Sequence, residues 1–211
     1  MHVLIPVKSL TNSKTRLASL LSVDQRARLS KYMLEDMLEC LNSVKEINSI
    51  NIVSCESSLE AMANSYKVNF IHTEEDKGYS EDALFGIEHL RIDNEQTVAI
   101  IPADIPHLSP GDLRTLIRQH KTGLSLCPAV ADSGTNALVF NVPLNIPLLF
   151  GNDSLSRYQS VAFKRKIPLQ LIEIGGFAKD IDRPADLNWL KEKSSGARTW
   201  NFLQNLDLTD N

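Results

Sequence analysis

The chain has 211 residues, enough for one domain with a sizeable core. Hydrophobic residues make up 43% and charged residues 23%, a globular balance that argues against disorder. The net charge of −4 carries no sign of a nucleic-acid footprint, so an anionic substrate has to be met by a local Lys/Arg cluster or by a metal.

Short apolar, β-branched runs alternate with amphipathic stretches. Residues 3–7 read as a buried strand. A helix is predicted over 22–45, with Ser22 as N-cap and Gln25 three residues on, the capping-box pattern. Leu29, Met33, Met37, Leu41 and Val44 form its apolar stripe, which reads as core. A strand over 50–54, a helix over 57–65, a strand over 68–71 and a helix over 81–91 follow. The most apolar strand covers 97–103 and delivers Asp104 at its tip, where Pro106 and Pro110 end the extended run. Ser109-Pro110-Gly111-Asp112 opens a helix through His120, with Pro first and an acid in the first turn. Strands are predicted over 124–127 and 136–141. A helix over 153–166 carries Leu155, Tyr158, Val161 and Ala162 on one face. A strand over 168–174 and a helix over 184–193 close the pattern. The tail from Ser194 is polar, with Trp200 and Phe202 placed to pack back.

This alternation predicts a single three-layer α/β/α domain over 1–211, its largely parallel sheet covered on both faces. Ligands of such sheets bind beyond the carboxyl ends of the strands. Cys40, Cys55 and Cys127 are odd in number and widely spaced, without a C-x-x-C, so neither a disulfide framework nor a structural zinc site is expected. The start M-H-V-L-I-P-V-K is charged too soon for a signal peptide. No run approaches the roughly 18 apolar residues of a membrane span. A soluble cytoplasmic protein with reduced thiols is the expectation, with no membrane or nucleic-acid partner and with a homodimer as the commonest assembly.

The P-loop, dinucleotide, nucleophile-elbow and H-E-x-x-H signatures are absent. His107 reads as a solvated loop histidine. Lys8, Lys14 and Arg16 follow the first strand, and three cations on one loop suit a polyanion such as a triphosphate. A solvated basic loop would have the same composition. Asp104 is met by a second acid cluster, G-G-F-A-K-D-I-D-R-P-A-D-L. There Asp180 and Asp182 follow a strand, and Asp186 reads as a first-turn residue of the next helix. Two carboxylates from different strand ends can share one Mg²⁺. D-S-G-T-N-A-L-V-F (132–140) brings Thr135 and Asn136 into a strand. F-G-N-D-S (150–154) brings Gly151 and Ser154 to a helix start, where N-capping and anion binding are both open.

I-P-V-K…K-T-R-L-A, P-A-D-I-P, G-T-N-A-L, F-G-x-x-S and D-I-D-R-P-A-D-L, in that order, resemble the 2-phospho-L-lactate guanylyltransferase (CofC-like) family. The resemblance spans roughly 3–190. It implies a nucleotidyltransferase of glycosyltransferase-A-like fold, with a mixed, mostly parallel, Rossmann-like sheet as in nucleotide-diphospho-sugar transferases. It also implies transfer of GMP from GTP to 2-phospho-L-lactate or phosphoenolpyruvate, with release of pyrophosphate, in deazaflavin coenzyme (F-420) synthesis. By the same resemblance Asp104 and Asp182 are metal ligands for Mg²⁺, and Lys8, Lys14 and Arg16 contact the triphosphate, with Lys14, Arg16 and Asp104 as the catalytic set. Thr135, Asn136, Gly151 and Ser154 meet the phospho-acid. The chain departs from the family's pattern at Gly78-Tyr79-Ser80, where G-L-N is expected and where Gly78 and Ser80 are placed at the nucleotide. It departs again at Asp132-Ser133-Gly134-Thr135-Asn136, where D-G-G-T-N is expected. A nucleotidyltransferase with a sugar-phosphate or molybdopterin-type acceptor is the nearest alternative. A metal-dependent glycosyltransferase using Asp180-x-Asp182 is another.

Overall fold

Alternation within the strands decides the layers, because successive side chains leave a strand on opposite faces. A computed structural model describes residues 1–90, 92–93, 96–130, 133–192 and 197–206. In β1 (His2–Pro6), Val3 and Ile5 face one hydrophobic cluster and Leu4 the other. In β4 (Thr97–Ile100), Ala99 joins the first cluster, and Val98 and Ile100 the second. The first face is covered by α1 (Val23–Asn42), α2 (Ser58–Tyr66) and α4 (Pro110–Gln119). The second is covered by α3 (Tyr79–His89) and α5 (Ser154–Arg165). The remaining strands are β2 (Ser49–Ser54), β3 (Asn69–His72), β5 (Leu124–Pro128), β6 (Thr135–Asn141) and β7 (Leu169–Leu171). The sheet order is β3-β2-β1-β4-β6-β5-β7. The result is the expected three-layer α/β/α arrangement with a mixed, mostly parallel sheet.

β6 is the exception to the parallel pairing. It runs antiparallel to both β4 and β5, with Ile100 opposite Leu138 and Leu126 opposite Leu138 on the other side. Its first residues, Thr135 and Asn136, therefore project past the carboxyl end of β4. A strand that starts where its neighbours finish delivers its first side chains to their functional edge.

Local chemistry explains most element ends. Ser22 accepts from the Gln25 N–H at 3.3 Å while the Gln25 side chain takes the Ser22 N–H at 2.8 Å, the predicted capping box. Ser109 and Asp112 make a second one behind Pro110. Several boundaries differ from the sequence reading. α1 ends at Asn42, short of 45, and α3 starts at Tyr79, two residues early, directly behind Gly78 with φ +101°. The Arg91 end of that predicted helix and the Lys193 end of the last lie outside the described residues. β4 stops at Ile100, although the Ile101 N–H still donates to Leu4 O at 3.0 Å. Asp104 thus sits in a turn rather than on the strand tip, because Pro102 lacks the N–H a further ladder step needs. The predicted strand 168–174 is reduced to Leu169–Leu171. His107, expected in solvent, packs edge-on against Trp189 with centroids 4.8 Å apart.

The described part of the tail is helical: α6 (Pro184–Glu192) is followed by α7 (Arg198–Gln204). Asp36 of α1 caps α7 from afar, accepting from the Arg198 and Thr199 N–H groups at 2.9 Å each and from the Thr199 hydroxyl at 2.6 Å. Phe202 and Leu203 then close a third cluster with Leu17, Leu29, Met33, Ile181 and Leu187. Among the described residues, no helix is long and apolar enough to cross a membrane.

Helix α3 lies very close to the sheet at Gly86. A Cβ there would meet Val53 Cγ2 at 2.7 Å and Leu4 Cδ1 at 2.8 Å, and both side chains are fully buried. Gly86→Ala is expected to lose about 1–3 kcal/mol of unfolding free energy through overpacking. Urea denaturation checks this. A variant of unchanged midpoint and slope would mean that α3 can retreat.

Candidate active site

The centre of the site is a buried cation. Lys14 is held by the turn after a short 3₁₀ segment, with φ +52° and ψ +39°, a left-handed backbone that a non-glycine residue adopts at a cost. Leu17, fully buried in the third cluster, anchors that turn. The Lys14 side chain is 8% exposed and its Nζ meets Asp104 Oδ2 at 2.5 Å and Asp182 Oδ1 at 3.6 Å. Arg16, half exposed, pairs with the other oxygen of Asp182. Burial pushes the Lys14 pKa down, but the charges of Asp104, Asp182 and Asp180 outweigh it, so the net shift is upward and the ammonium stays charged.

Three distant segments are pinned around this cation. The Ile181 N–H donates to Asp104 O at 3.0 Å, which fastens the stretch before α6 to the exit of β4. Asp186 Oδ2 accepts from the N–H groups of Asp182 and Arg183 at 3.1 and 2.7 Å. It closes the turn that presents Asp182, the first-turn role expected of it. Asp180 lies close by. Its pKa is raised, first by burial and then by the charge of Asp104. Asp104 Oδ1 is buried without a hydrogen-bond partner.

Two cavities open from this centre. The smaller, about 350 Å³, is lined by Lys14, Arg16, Asp104 and Asp182 together with Ser13 and Ser30. The larger, about 490 Å³, is lined by Gly78, Ser80, Thr135, Asn136, Gly151 and Asp180 among others. Lys8, Tyr79, Pro102 and Asp104 line both, so they mark the junction. All three expected triphosphate cations therefore line the smaller cavity, and Lys8 lines the larger one as well. Gly78 and Ser80 lie instead in the larger cavity, beside the residues expected at the phospho-acid.

Ser154 does not line either cavity. It is fully buried, and its hydroxyl donates to Thr135 Oγ1 at 2.9 Å, so it holds Thr135 from behind and does not cap α5. Asn136 lines the larger cavity while its amide donates to Phe177 O at 2.8 Å. Gly151 has φ +109° on a loop tied down by Arg157, which donates to Phe150 O and Asn152 O at 3.3 and 3.0 Å. Asp132 lies outside the described residues.

The sequence reading missed Tyr79. Its ring meets Phe150 edge-on at 4.7 Å, and Phe150 meets Tyr158 in the same manner at 5.9 Å. Its hydroxyl is buried without a partner. Burial, followed by the charge of Asp104, pushes the Tyr79 pKa well above the usual phenol value and keeps it a neutral donor. The available signal was its place beside Gly78, where the chain departs from the family's pattern.

Among the described residues, no group of three or more His, Cys, Asp or Glu side chains collects in a metal-binding cluster. Any cation at Asp104 and Asp182 would draw its remaining ligands from substrate and water, the habit of magnesium rather than zinc or calcium.

Comparison of folds places this architecture. A solved structure from Desulfovibrio desulfuricans G20, provisionally assigned as a nucleotide-diphospho-sugar transferase, superposes with TM-score 0.77 at 19% identity. The match covers 96% of this chain and 93% of that one. The protein thus has the nucleotide-diphospho-sugar transferase fold, with its acids and cations gathered at the carboxyl edge of the sheet.

A family model described as guanylyl transferase CofC like matches residues 1–211. The chain belongs to that family and is a nucleotidyltransferase. Similar proteins differ in the acid they are named for. A phosphoenolpyruvate guanylyltransferase of Sphaerobacter thermophilus is 31% identical over 88% of this chain and 90% of its own. A 3-phospho-D-glycerate guanylyltransferase of Colwellia psychrerythraea is 33% identical over 92% of each chain. A 2-phospho-L-lactate guanylyltransferase of Methanosphaera stadtmanae is 26% identical over 97% of this chain and 90% of its own.

Removing the central cation separates its role from that of the outer one. Lys14→Met leaves two half-buried carboxylates without their shared partner and should cost about 1–3 kcal/mol, less than for a fully buried pair. Arg16→Ala, at an exposed guanidinium, should cost under about 1 kcal/mol. Urea denaturation of both at pH 7 checks this, and equal losses would take Lys14 out of the centre.

Proposed function

We propose that the protein transfers GMP from GTP to a three-carbon phospho-acid and releases pyrophosphate, as a step in making the deazaflavin coenzyme F-420. The observation that carries the reading is Lys14 bridging Asp104 and Asp182 at the junction of two cavities. One cavity offers cations for a polyphosphate. The other offers Thr135, the Asn136 strand start and Gly151 for a small acid. The names of the relatives support the acceptor class, since phosphoenolpyruvate, 3-phospho-D-glycerate and 2-phospho-L-lactate each carry a phosphate and a carboxylate on three carbons.

The chemistry is an in-line displacement. An acceptor phosphate oxygen attacks the α-phosphorus of GTP, a new P–O bond forms, and the bond to pyrophosphate breaks. The nucleophile is already an anion, so no general base is required. The obstacle is charge. Two unit charges 4 Å apart repel by about 4 kcal/mol at an effective dielectric near 20. Lys14 and Arg16 oppose this repulsion as charge builds on the leaving pyrophosphate. Lys8, at the junction, holds phosphate from either side.

The residues fit a Mg²⁺ ion. Asp104 and Asp182 reach the same ammonium, and Asp104 Oδ1 is a buried acceptor with no other use. Asp104 and Asp182 would hold the ion, and phosphate oxygens and water would complete its shell. When bound, Mg²⁺ supplies positive charge that offsets phosphate repulsion. The protein's own part is then positioning and electrostatics. Free thiols at Cys40, Cys55 and Cys127 suit a reducing cytoplasm.

The test is pyrophosphate release with Mg²⁺, each of the four nucleoside triphosphates being crossed with the three phospho-acids. Release with GTP and one acid is the expected outcome and names the acceptor. Release with a sugar phosphate alone, or with no pair, would sink the reading. Asp104→Asn should still fold, with lower stability because Lys14 loses its nearest counter-charge, and should lose on the order of 10²-fold or more in turnover. Near wild-type turnover in that variant would remove Asp104 from the mechanism.

A further inference from the structure

Two of the residues that line both cavities, Asp104 and Tyr79, each carry a buried polar atom without a hydrogen-bond partner: Asp104 Oδ1 and the Tyr79 hydroxyl. Buried polar groups are almost always paired, so each orphan calls for an explanation. Their chemistries are complementary. A carboxylate oxygen accepts or binds a cation, and a neutral phenol donates. They do not satisfy each other, although the charge of Asp104 is felt at Tyr79. A phosphate with its counter-cation would satisfy both at once.

We propose that Tyr79 contacts substrate directly: its hydroxyl donates a hydrogen bond to a non-bridging oxygen of the phosphate at the junction of the two cavities, where the new P–O bond forms. This rests on the guanylyl-transfer reading and adds a residue to it. The geometry holds the donor in advance of the ligand. Tyr79 is the first residue of α3, behind the left-handed Gly78, and α3 is seated on Leu4 and Val53 through Gly86. Its ring is fixed by the edge of Phe150, which in turn is fixed by Tyr158. Tyr158 is anchored through its own hydroxyl, which accepts from the Leu149 N–H at 2.9 Å. A donor fixed in this manner needs no reorganisation as charge shifts on the phosphate, which is the condition for transition-state stabilisation.

Tyr79→Phe keeps the ring and its contact with Phe150 and removes only the oxygen. Turnover should fall about 10²-fold, the scale of losing one preorganised donor. The Tm of the ligand-free protein should stay level or rise, because a buried hydroxyl without a partner has been removed. A wild-type rate overturns the proposal. So does a rate loss accompanied by a fall in Tm, which would make Tyr79 a packing residue. GTP titration with Mg²⁺, without acceptor, separates this from failure of the parent reading. If wild-type protein releases no pyrophosphate with any acid, the acceptor assignment fails, and the titration then decides on Tyr79. A roughly tenfold weaker GTP affinity in Tyr79→Phe, by the worth of one charge-assisted hydrogen bond, supports the contact. Equal affinity overturns it.

Discussion

A buried ammonium cannot stand alone, and the site is arranged around that constraint. Desolvation alone would lower the Lys14 pKa and disfavour its charge. It stays charged because Asp104, Asp182 and Asp180 converge on it. Those acids come from the exit of β4 and from the stretch before α6, so the requirement of one cation draws three segments to one point. Leu17 and Ile181, the apolar neighbours of the charged groups, belong to one cluster. The site and the third core therefore support each other. The left-handed backbone at Lys14 is the strain left over from aiming that side chain inward.

The second constraint is the reversal of β6. In an all-parallel sheet the residues that begin a strand lie at the far edge from the ligand. By running against β4 and β5, β6 places its beginning at the ligand edge, and Thr135 and Asn136 enter the larger cavity from there. Ser154 at the start of α5 then supports Thr135 through one buried hydrogen bond. The two halves of the sheet thus contribute different chemistry to one groove. The β1 side carries the cations and the β6 side carries small hydroxyl, amide and glycine groups.

Much of this was legible in the sequence where the determinant is local. The Ser22–Gln25 box, Pro110 at a helix start and the β-branched runs are signals within a few residues, and the elements they specify formed. Lys14, Arg16, Asp104 and Asp182 were legible as candidates from the two acid clusters, the basic loop and the family motifs that contain them. What stayed hidden depends on distant partners. Helix α7 is capped by Asp36 of α1, which no inspection of the tail reveals. Ser154 looked like a cap or an anion ligand, yet a hydroxyl nineteen residues earlier in the chain claims it. Tyr79 looked like an ordinary aromatic until burial left its hydroxyl alone at the junction. The end of β4 was overextended because apolar character continues to Ala103, past Pro102, where the ladder loses its donor.

The ion pairs around Lys14 also set an order of events. Lys14 and Asp104 are 90 positions apart in the chain, and Arg16 and Asp182 are 166 apart. Contacts of such separation close late, after shorter loops have formed. The charged cluster therefore forms only when segments 90 and more positions apart have docked, so it belongs to the tertiary structure and to no single local element.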